Sequence, residues 1–401
     1  MKEYIKLLRE EKILRRLSAI QLISYFGAWF SNVAIYTLLI EMHVSASVVA
    51  FVAMLNFLAG AFQAPFSGPI IDRMSPKKLM LTLIIVEIVA TVFLIFIQNV
   101  SDLWFLYVLI FFKMAAASFY FTTEMSLLPK ILHGNKLQHS NELHSIIWSF
   151  SYTLGMALSG FFVYLFGIKT AFLLDAFMFM IAFYLLYKTE IKIEILHVEE
   201  NIFVMIQETF VYLKRNPKAF HLMLVHSFVG LTAFDALVAL MVDKYYASII
   251  ATSLALGLLH SARAIGLVVG PIYIGKWITN KKLVYIFIAQ GLAVWLWAFV
   301  MHNFYLSLFA SVVVGFFTTT LWSYSYTLLQ KNIEKKYYGR IVAYNDMLFL
   351  SSAAFTSYMI GFLYTHSFSL EEITAIMGGG FFIGAIYYKY VLQSQKIKEI
   401  S

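Results

Sequence analysis

The 401-residue chain contains no cysteine. That excludes disulfides, thiolate nucleophiles, iron–sulfur clusters and cysteine-built zinc sites. Charge is scarce as well, with 13% of residues charged against 61% hydrophobic. A soluble protein of this length cannot keep its surface wet on so few charges. The length is therefore to be read as a count of membrane helices. No phosphate-binding loop occurs, so no ATP motor is expected. There is no H-E-x-x-H, no nucleophile–base pattern, no dense His/Asp/Glu cluster within a span and no His-rich tail. The chain is expected not to be an enzyme, to hold no cofactor or metal, and not to bind nucleic acid.

What is present is apolar sequence in runs. Lys2, Lys6, Arg9, Lys12, Arg15 and Arg16 precede a run that continues to Glu41. It is longer than a signal-peptide core and has no small-residue cleavage pattern, so it reads as a retained first span. Crossing a hydrocarbon core takes roughly 20 apolar residues. Runs of that length lie near 17–41, 46–71, 78–98, 102–128, 139–166, 169–188, 218–245, 250–277, 282–301, 304–330, 340–365 and 371–392. With both termini placed in the cytoplasm, 26 of the 30 Lys and Arg fall on the inner side. Only Lys169 and Lys244 fall outside, and Lys113 and Arg263 lie within spans. This positive-inside bias supports an even number of spans.

The expected fold is an all-α membrane protein with twelve transmembrane helices in two pseudo-symmetric six-helix halves, 1–188 and 218–401. Segment 189–217 joins them. Its Glu190, Lys192, Glu194, Glu199 and Glu200 precede Ile202, Phe203, Ile206, Phe210 and Leu213. This pattern is amphipathic and predicts either a helix lying at the cytoplasmic face or a partner-binding helix. The two halves repeat each other. Gly68-Pro69-Ile70 and Lys77-Lys78-Leu79 recur as Gly270-Pro271-Ile272 and Lys281-Lys282-Leu283. Ser126-Leu127-Leu128 recurs as Thr327-Leu328-Leu329, and Gly160-Phe161 as Gly361-Phe362, both 201 residues on. Duplicated blocks of hydrophobic helices are the usual architecture of secondary transporters.

The twelve-span 6+6 pattern, the long central segment, and Gly68-x-x-x-Asp72-Arg73-x-x-x-Lys77-Lys78 between spans two and three resemble the major facilitator superfamily. Ser75 stands where that family usually has glycine and Pro76 where it has a basic residue. The second copy has Ile274 in place of the aspartate. Met125-Ser126-Leu127-Leu128-Pro129-Lys130, Asn141-Glu142-Leu143, Leu154-Gly155-x-x-x-x-Gly160 and Ala171–Phe177 resemble the bacterial branch of macrolide-efflux-type and siderophore-export-type proteins. The resemblance implies that spans one, four, seven and ten line a central cavity. Lys113 falls where the superfamily commonly has an arginine. Lys113, Glu124 and Asp235 are then cavity candidates, while Glu87 and Asp175 are peripheral.

Candidate residues follow from cost and position. Gly68, Asp72, Arg73, Lys77 and Lys78 form the loop motif: either a charge lock between two conformations or a solvated loop obeying the positive-inside rule. Ionisable groups in hydrocarbon cost roughly 2.5–3.5 kcal/mol each, so each needs a partner or an aqueous face. Glu87 with Lys113, and Asp235 with Arg263, lie at matching depth on consecutive spans, which predicts two charge pairs, structural or proton-sensitive. Asp235 leads as the proton-coupling candidate and Glu124 is second; His226 and His260 also lie within spans. Asn32 and Tyr36, near Tyr25 and Trp29, with His226, Trp322, Tyr324 and Tyr326, are either a wall for an amphipathic ligand or packing residues. Gly155, Gly160, Gly257, Gly266 and Gly270 allow close helix approach.

The expected function is secondary active export of amphipathic organic compounds such as drugs, in exchange for protons, by alternating access. The chain is expected to act as a monomer in a bacterial inner membrane. A lysophospholipid flippase, or a siderophore or metal exporter of the same fold, is the alternative.

Overall fold

Without water in the bilayer core, a backbone must satisfy its own N–H and C=O groups, which selects helices for apolar runs of this length. The computed structural model describes residues 2–132, 135–191, 202–275, 277–334 and 337–397, and no strand occurs among them. A short helix α1 (Lys2–Glu10) precedes α2 (Lys12–Glu41), α3 (Ala46–Arg73), α4 (Pro76–Phe93), α5 (Leu103–Ile131), α6 (Asn135–Phe166) and α7 (Ile168–Tyr187). Then come α8 (Ile202–Arg215), α9 (Pro217–Ser227), α10 (Asp235–Met241), α11 (Thr252–Ile274), α12 (Leu283–Val300), α13 (Phe304–Asn332), α14 (Tyr338–Thr365) and α15 (Leu370–Ser394). Among the described residues, twelve segments are long and apolar enough to cross a membrane. The protein is thus an all-α, multi-pass membrane protein, as its composition required.

Local sequence explains where the helices start and stop. Ser75 is extended and Pro76 opens α4, where a missing N–H costs nothing. These are the two residues that depart from the loop motif. Ser369 and Glu372 cap α15 reciprocally, and Asn303 caps α13 through the Leu306 N–H. The turns after α6 and α14 both use a left-handed residue, Gly167 (φ 81°) and Ser367 (φ 68°). They lie 200 residues apart, so the duplication extends to the turn.

Span seven departs from expectation. The run from Pro217 to Tyr246 is not one helix: α9 gives way to a 3₁₀ stretch at Phe228–Thr232, α10 restarts at Asp235, and a π-turn follows at Val242–Tyr246. Gly230 lies in the break, where a β-carbon would come within 2.7 Å of the Ala353 backbone N and the Ser352 side chain. Close approach of α14 and the low helix propensity of Gly and Thr together account for the interruption.

Packing divides the chain into two units, Met1–His43 with Phe66–Glu199, and Val44–Pro65 with Glu200–Ser401; the division falls inside α3. In the first unit, Leu17 and Ile20 of α2, Met80 and Ile84 of α4, Leu127 of α5 and Phe179 of α7 share one core. In the second, α11 and α13 pack almost backbone to backbone. A β-carbon at Gly266 would overlap the Val312 carbonyl, at Gly270 that of Phe316, and at Gly315 that of Arg263. Small residues at such crossings are what lets membrane helices gain dispersion energy where no hydrophobic drive exists between them. Large apolar side chains such as Phe299, Trp104 and Ile386 remain exposed, a surface suited to lipid.

Candidate functional site

Each unit carries its own intramembrane polar groups. In the first, Lys113 of α5 meets Asp175 of α7, with Nζ 2.6 Å from Oδ2. Ser31 of α2 donates to the same oxygen, and Lys113 also lies over the Phe179 ring. Gly27 makes room: a β-carbon there would sit 2.7 Å from Asp175 Oδ1. The expected pairing of Lys113 with Glu87 is therefore corrected. Neighbours in sequence, α4 and α5, suggested the partner, but α7 packs against both α2 and α4 and brings Asp175 within reach. Glu87 is buried on α4, where Lys113 and Asp175 are the charges acting on it.

Glu124, three turns along α5 from Lys113, has no such partner. It is 3% exposed, its Oε2 accepts no hydrogen bond, and no cation lies within ion-pair distance of it among the described residues. Tyr25 and Tyr120 are its electrostatic neighbours. Next to it the aromatics of α2 and α6 interleave. Tyr25 and Phe121 both meet the His144 ring, Trp29 meets Tyr152 at 4.6 Å, and Trp148 stacks on Tyr152 at 5.3 Å. Gly155 admits the Trp29 ring against α6. Gln21 Nε2 lies 2.6 Å from His144 Nδ1. Asn32 is half-buried with an Oδ1 that accepts no hydrogen bond, while Tyr36 is 1% exposed. Tyr36 is thus a core residue, because α2 is buried on all sides from Val33 to Ile40.

In the second unit, His226 of α9 is fully buried and its Nδ1 lies 2.8 Å from Ser325 Oγ. The rings of Trp322, Tyr326 and Phe349 surround it at 5.4–5.7 Å. Trp322 and Tyr326 stack in parallel at 5.1 Å, and Trp322 is 40% exposed. Residues four apart share a helix face, so these two form one slab. Tyr324 lies on the other side of α13 and is buried, its hydroxyl bonded to Asn280 Oδ1 at 2.8 Å. Its grouping with Trp322 and Tyr326 is corrected: proximity in sequence is not a shared face.

The second expected charge pair is also replaced. Arg263 of α11 donates to the Thr232 carbonyl at 2.9 Å and lies over the Phe234 ring at 4.9 Å. The break in span seven exposes that carbonyl, and the guanidinium caps it. Asp235, in the first turn of α10, has His260 Nδ1 at 3.9 Å instead. Sequence reading missed four contributors: Gln21, His144, Phe349, and Asp346 of α14, whose Oδ1 receives a 3.4 Å bond from Asn345. An acidic residue inside an apolar span was the available signal for Asp346.

The loop motif is split. Gly68 and Asp72 lie in the final turns of α3; the Asp72 side chain lies outside the described residues, and Arg73 and Lys78 are exposed. Lys77 donates to the Tyr187 carbonyl at 2.8 Å, placing a cation on the C-terminus of α7. Beneath α8 a cavity of about 590 Å³ is lined by Glu208, Arg215, Glu334 and Tyr337 among others, and none of the intramembrane candidates borders it. No group of three or more His, Asp or Glu among the described residues is placed to hold a metal.

Twelve apolar spans among the described residues, several with polar groups held within them, define a multi-pass membrane protein. The chain belongs to the Major Facilitator Superfamily, whose family model matches residues 17–245 and 223–399. An uncharacterized MFS-type transporter of Bacillus subtilis (strain 168), YfiS, is 29% identical over 182 residues, 45% of this chain and 43% of that one. Among solved structures, a D-xylose-proton symporter superposes with a TM-score of 0.74 at 10% identity, covering 94% of this chain and 96% of its own. The POT family transporter PepTSo gives 0.73 at 11%, covering 96% and 98%. The nucleoside transporter NupG gives 0.71 at 10%, covering 96% and 100%. At such identities these likenesses concern the fold.

Proposed function

We propose that the chain is a secondary active exporter of amphipathic organic compounds, working by alternating access in exchange for protons. The observation that carries the coupling is the setting of Asp235. It sits partly exposed at a helix break, and its neighbour at 3.9 Å is the buried, titratable imidazole of His260. The permanent cation nearby, Arg263, is committed to the Thr232 carbonyl. A carboxylate not locked to a permanent charge can take up and release a proton as its surroundings change. The stacked aromatics of each unit support an amphipathic ligand, and resemblance to the efflux branch supports export of drug-like compounds. Asp72 and Arg73 serve as the charge lock, and the chain acts as a monomer.

Orientation follows from the basic residues. Arg16 donates to the Lys188 carbonyl, Lys77 to that of Tyr187, and Lys136 pairs with Glu10 and Glu11. The segments counted as cytoplasmic thus gather at one end of the first unit, which supports both termini facing the cytoplasm of a bacterial inner membrane. The test is uptake into proteoliposomes under an imposed pH gradient, comparing a cationic dye, a macrolide and a lysophospholipid. Gradient-dependent movement of the dye or macrolide is expected, and Asp235→Asn abolishes it. Equal movement with and without the gradient refutes proton coupling. Movement of the lipid alone makes the protein a flippase.

A further inference from the structure

Four functional positions recur between the two units. Tyr25, Phe121, Glu124 and Trp148 lie 201 residues before His226, Trp322, Ser325 and Phe349, the same offset that relates the two copies of the α5 and α13 ends. In the second unit these four positions meet: His226 bonds Ser325 and touches the Trp322 and Phe349 rings. In the first, Glu124 is an electrostatic neighbour of Tyr25 and makes no hydrogen bond to it, while Phe121 and Trp148 belong to the adjoining aromatic array. The duplication has kept the place and changed the chemistry. Position 325 is a neutral hydroxyl with its partner supplied, and position 124 is a carboxylate with no hydrogen-bond or ion-pair partner among the described residues.

Glu124 differs from the unit's other deep carboxylates: Asp175 has Lys113 and Ser31 on its Oδ2, and Glu87 has Lys113 acting on it, whereas no cation acts on Glu124 among the described residues. An unpaired carboxylate is costly to bury, and a cation carried in by a ligand would offset that cost. Tyr120 Oη and Ser24 Oγ are likewise buried without hydrogen-bond partners. The nearby rings of Phe121 and Trp148 are more than a third exposed. Aromatic faces and one desolvated carboxylate together select an organic cation over a hydrated inorganic one.

We propose that the aromatic half-site around Glu124 binds an organic cation carried on an apolar body, with Glu124 as the residue that sets charge selectivity. This deepens the transporter reading and rests on it for its physiological meaning, but it concerns binding and is tested without turnover. Equilibrium binding to the purified full chain is measured for tetraphenylphosphonium and for triphenylphosphine oxide, an uncharged probe with a similar aromatic body. Glu124→Gln is expected to weaken phosphonium binding about tenfold or more and to change phosphine-oxide binding less than about twofold. Glu124→Asp should restore most of the difference. Retained neutral-probe binding shows that the variant is folded. Should Glu124→Gln not fold, the wild-type chain decides: carbodiimide labelling of Glu124, read by mass spectrometry, should be blocked by phosphonium and not by phosphine oxide. Unchanged phosphonium affinity in Glu124→Gln, equal loss of both probes, or labelling indifferent to phosphonium overturns the proposal. Selective binding together with failed gradient-driven transport would leave this site standing and remove the coupling reading.

Discussion

Lys113 and Arg263 are both cations set within spans, one in each unit, and they use their charge differently. Lys113 closes a salt bridge with Asp175 at 2.6 Å, in a pocket that Ser31 and Gly27 complete. Arg263 makes no ion pair among the described residues; it caps a carbonyl freed by the break in span seven and leaves Asp235 to His260. The first unit therefore holds its charge in a direct ion pair, and the second holds it on a backbone carbonyl, with the nearby carboxylate left to a histidine. A helix interruption is what separates the two cases. An unbroken span seven would have satisfied Thr232 internally and left the guanidinium for the aspartate.

The comparison breaks most readily at Lys113. Lys113→Ala leaves Asp175 buried and unpaired, and a loss of about 3–5 kcal/mol in unfolding free energy is expected. Replacing Asp175 at the same time by an apolar residue should recover much of it. Thermal unfolding in detergent measures both; equal destabilisation by the single and double variants would show that the pair is not what holds α5 to α7. Arg263→Met should cost less, about 1.5–3 kcal/mol, the worth of one charge-assisted hydrogen bond to a buried carbonyl. Its effect on transport should be the reverse of Asp235→Asn: uptake continues with an altered dependence on the gradient, whereas Asp235→Asn stops gradient-driven uptake while unfolding little changed. Uptake that is equally absent in both variants would place the arginine in the coupling step. The smallest effect is expected at Arg340, which pairs with Glu208 at 2.8 Å on the partly exposed flank of α8. Arg340→Ala should lie within about 0–1 kcal/mol of wild type. A larger loss would mean that α8 is fastened to α14 far more firmly than an exposed ion pair allows.

Legibility followed the range of the interaction. All twelve spans were readable because crossing hydrocarbon demands an apolar run of set length, a property each segment carries alone. The start of α4 at Ser75-Pro76 and the turn at Gly167 were equally local. Trp322 and Tyr326 share a face because four residues make about one turn, whereas Tyr324, two residues from each, faces the other way toward Asn280. Both charge pairs were assigned between consecutive spans; one partner lay on α7 and the other was a backbone carbonyl. His144 and Phe349 carry nothing in their own neighbourhood to mark them. They matter through the rings that α2, α5, α9 and α13 bring to them.

Residue order alone specifies that this is a twelve-span membrane protein made of a duplicated block, and where its ionisable residues fall along each span. Those features depend on solvation and helical period, which act within a segment. Which carboxylate is tied and which is left open, at Asp175, Glu124 and Asp235, was settled only when the helices packed. Ion pairing falls off within a few ångströms, and a displacement of one helix, or one unsatisfied carbonyl at Thr232, is enough to redirect a side chain to a different partner.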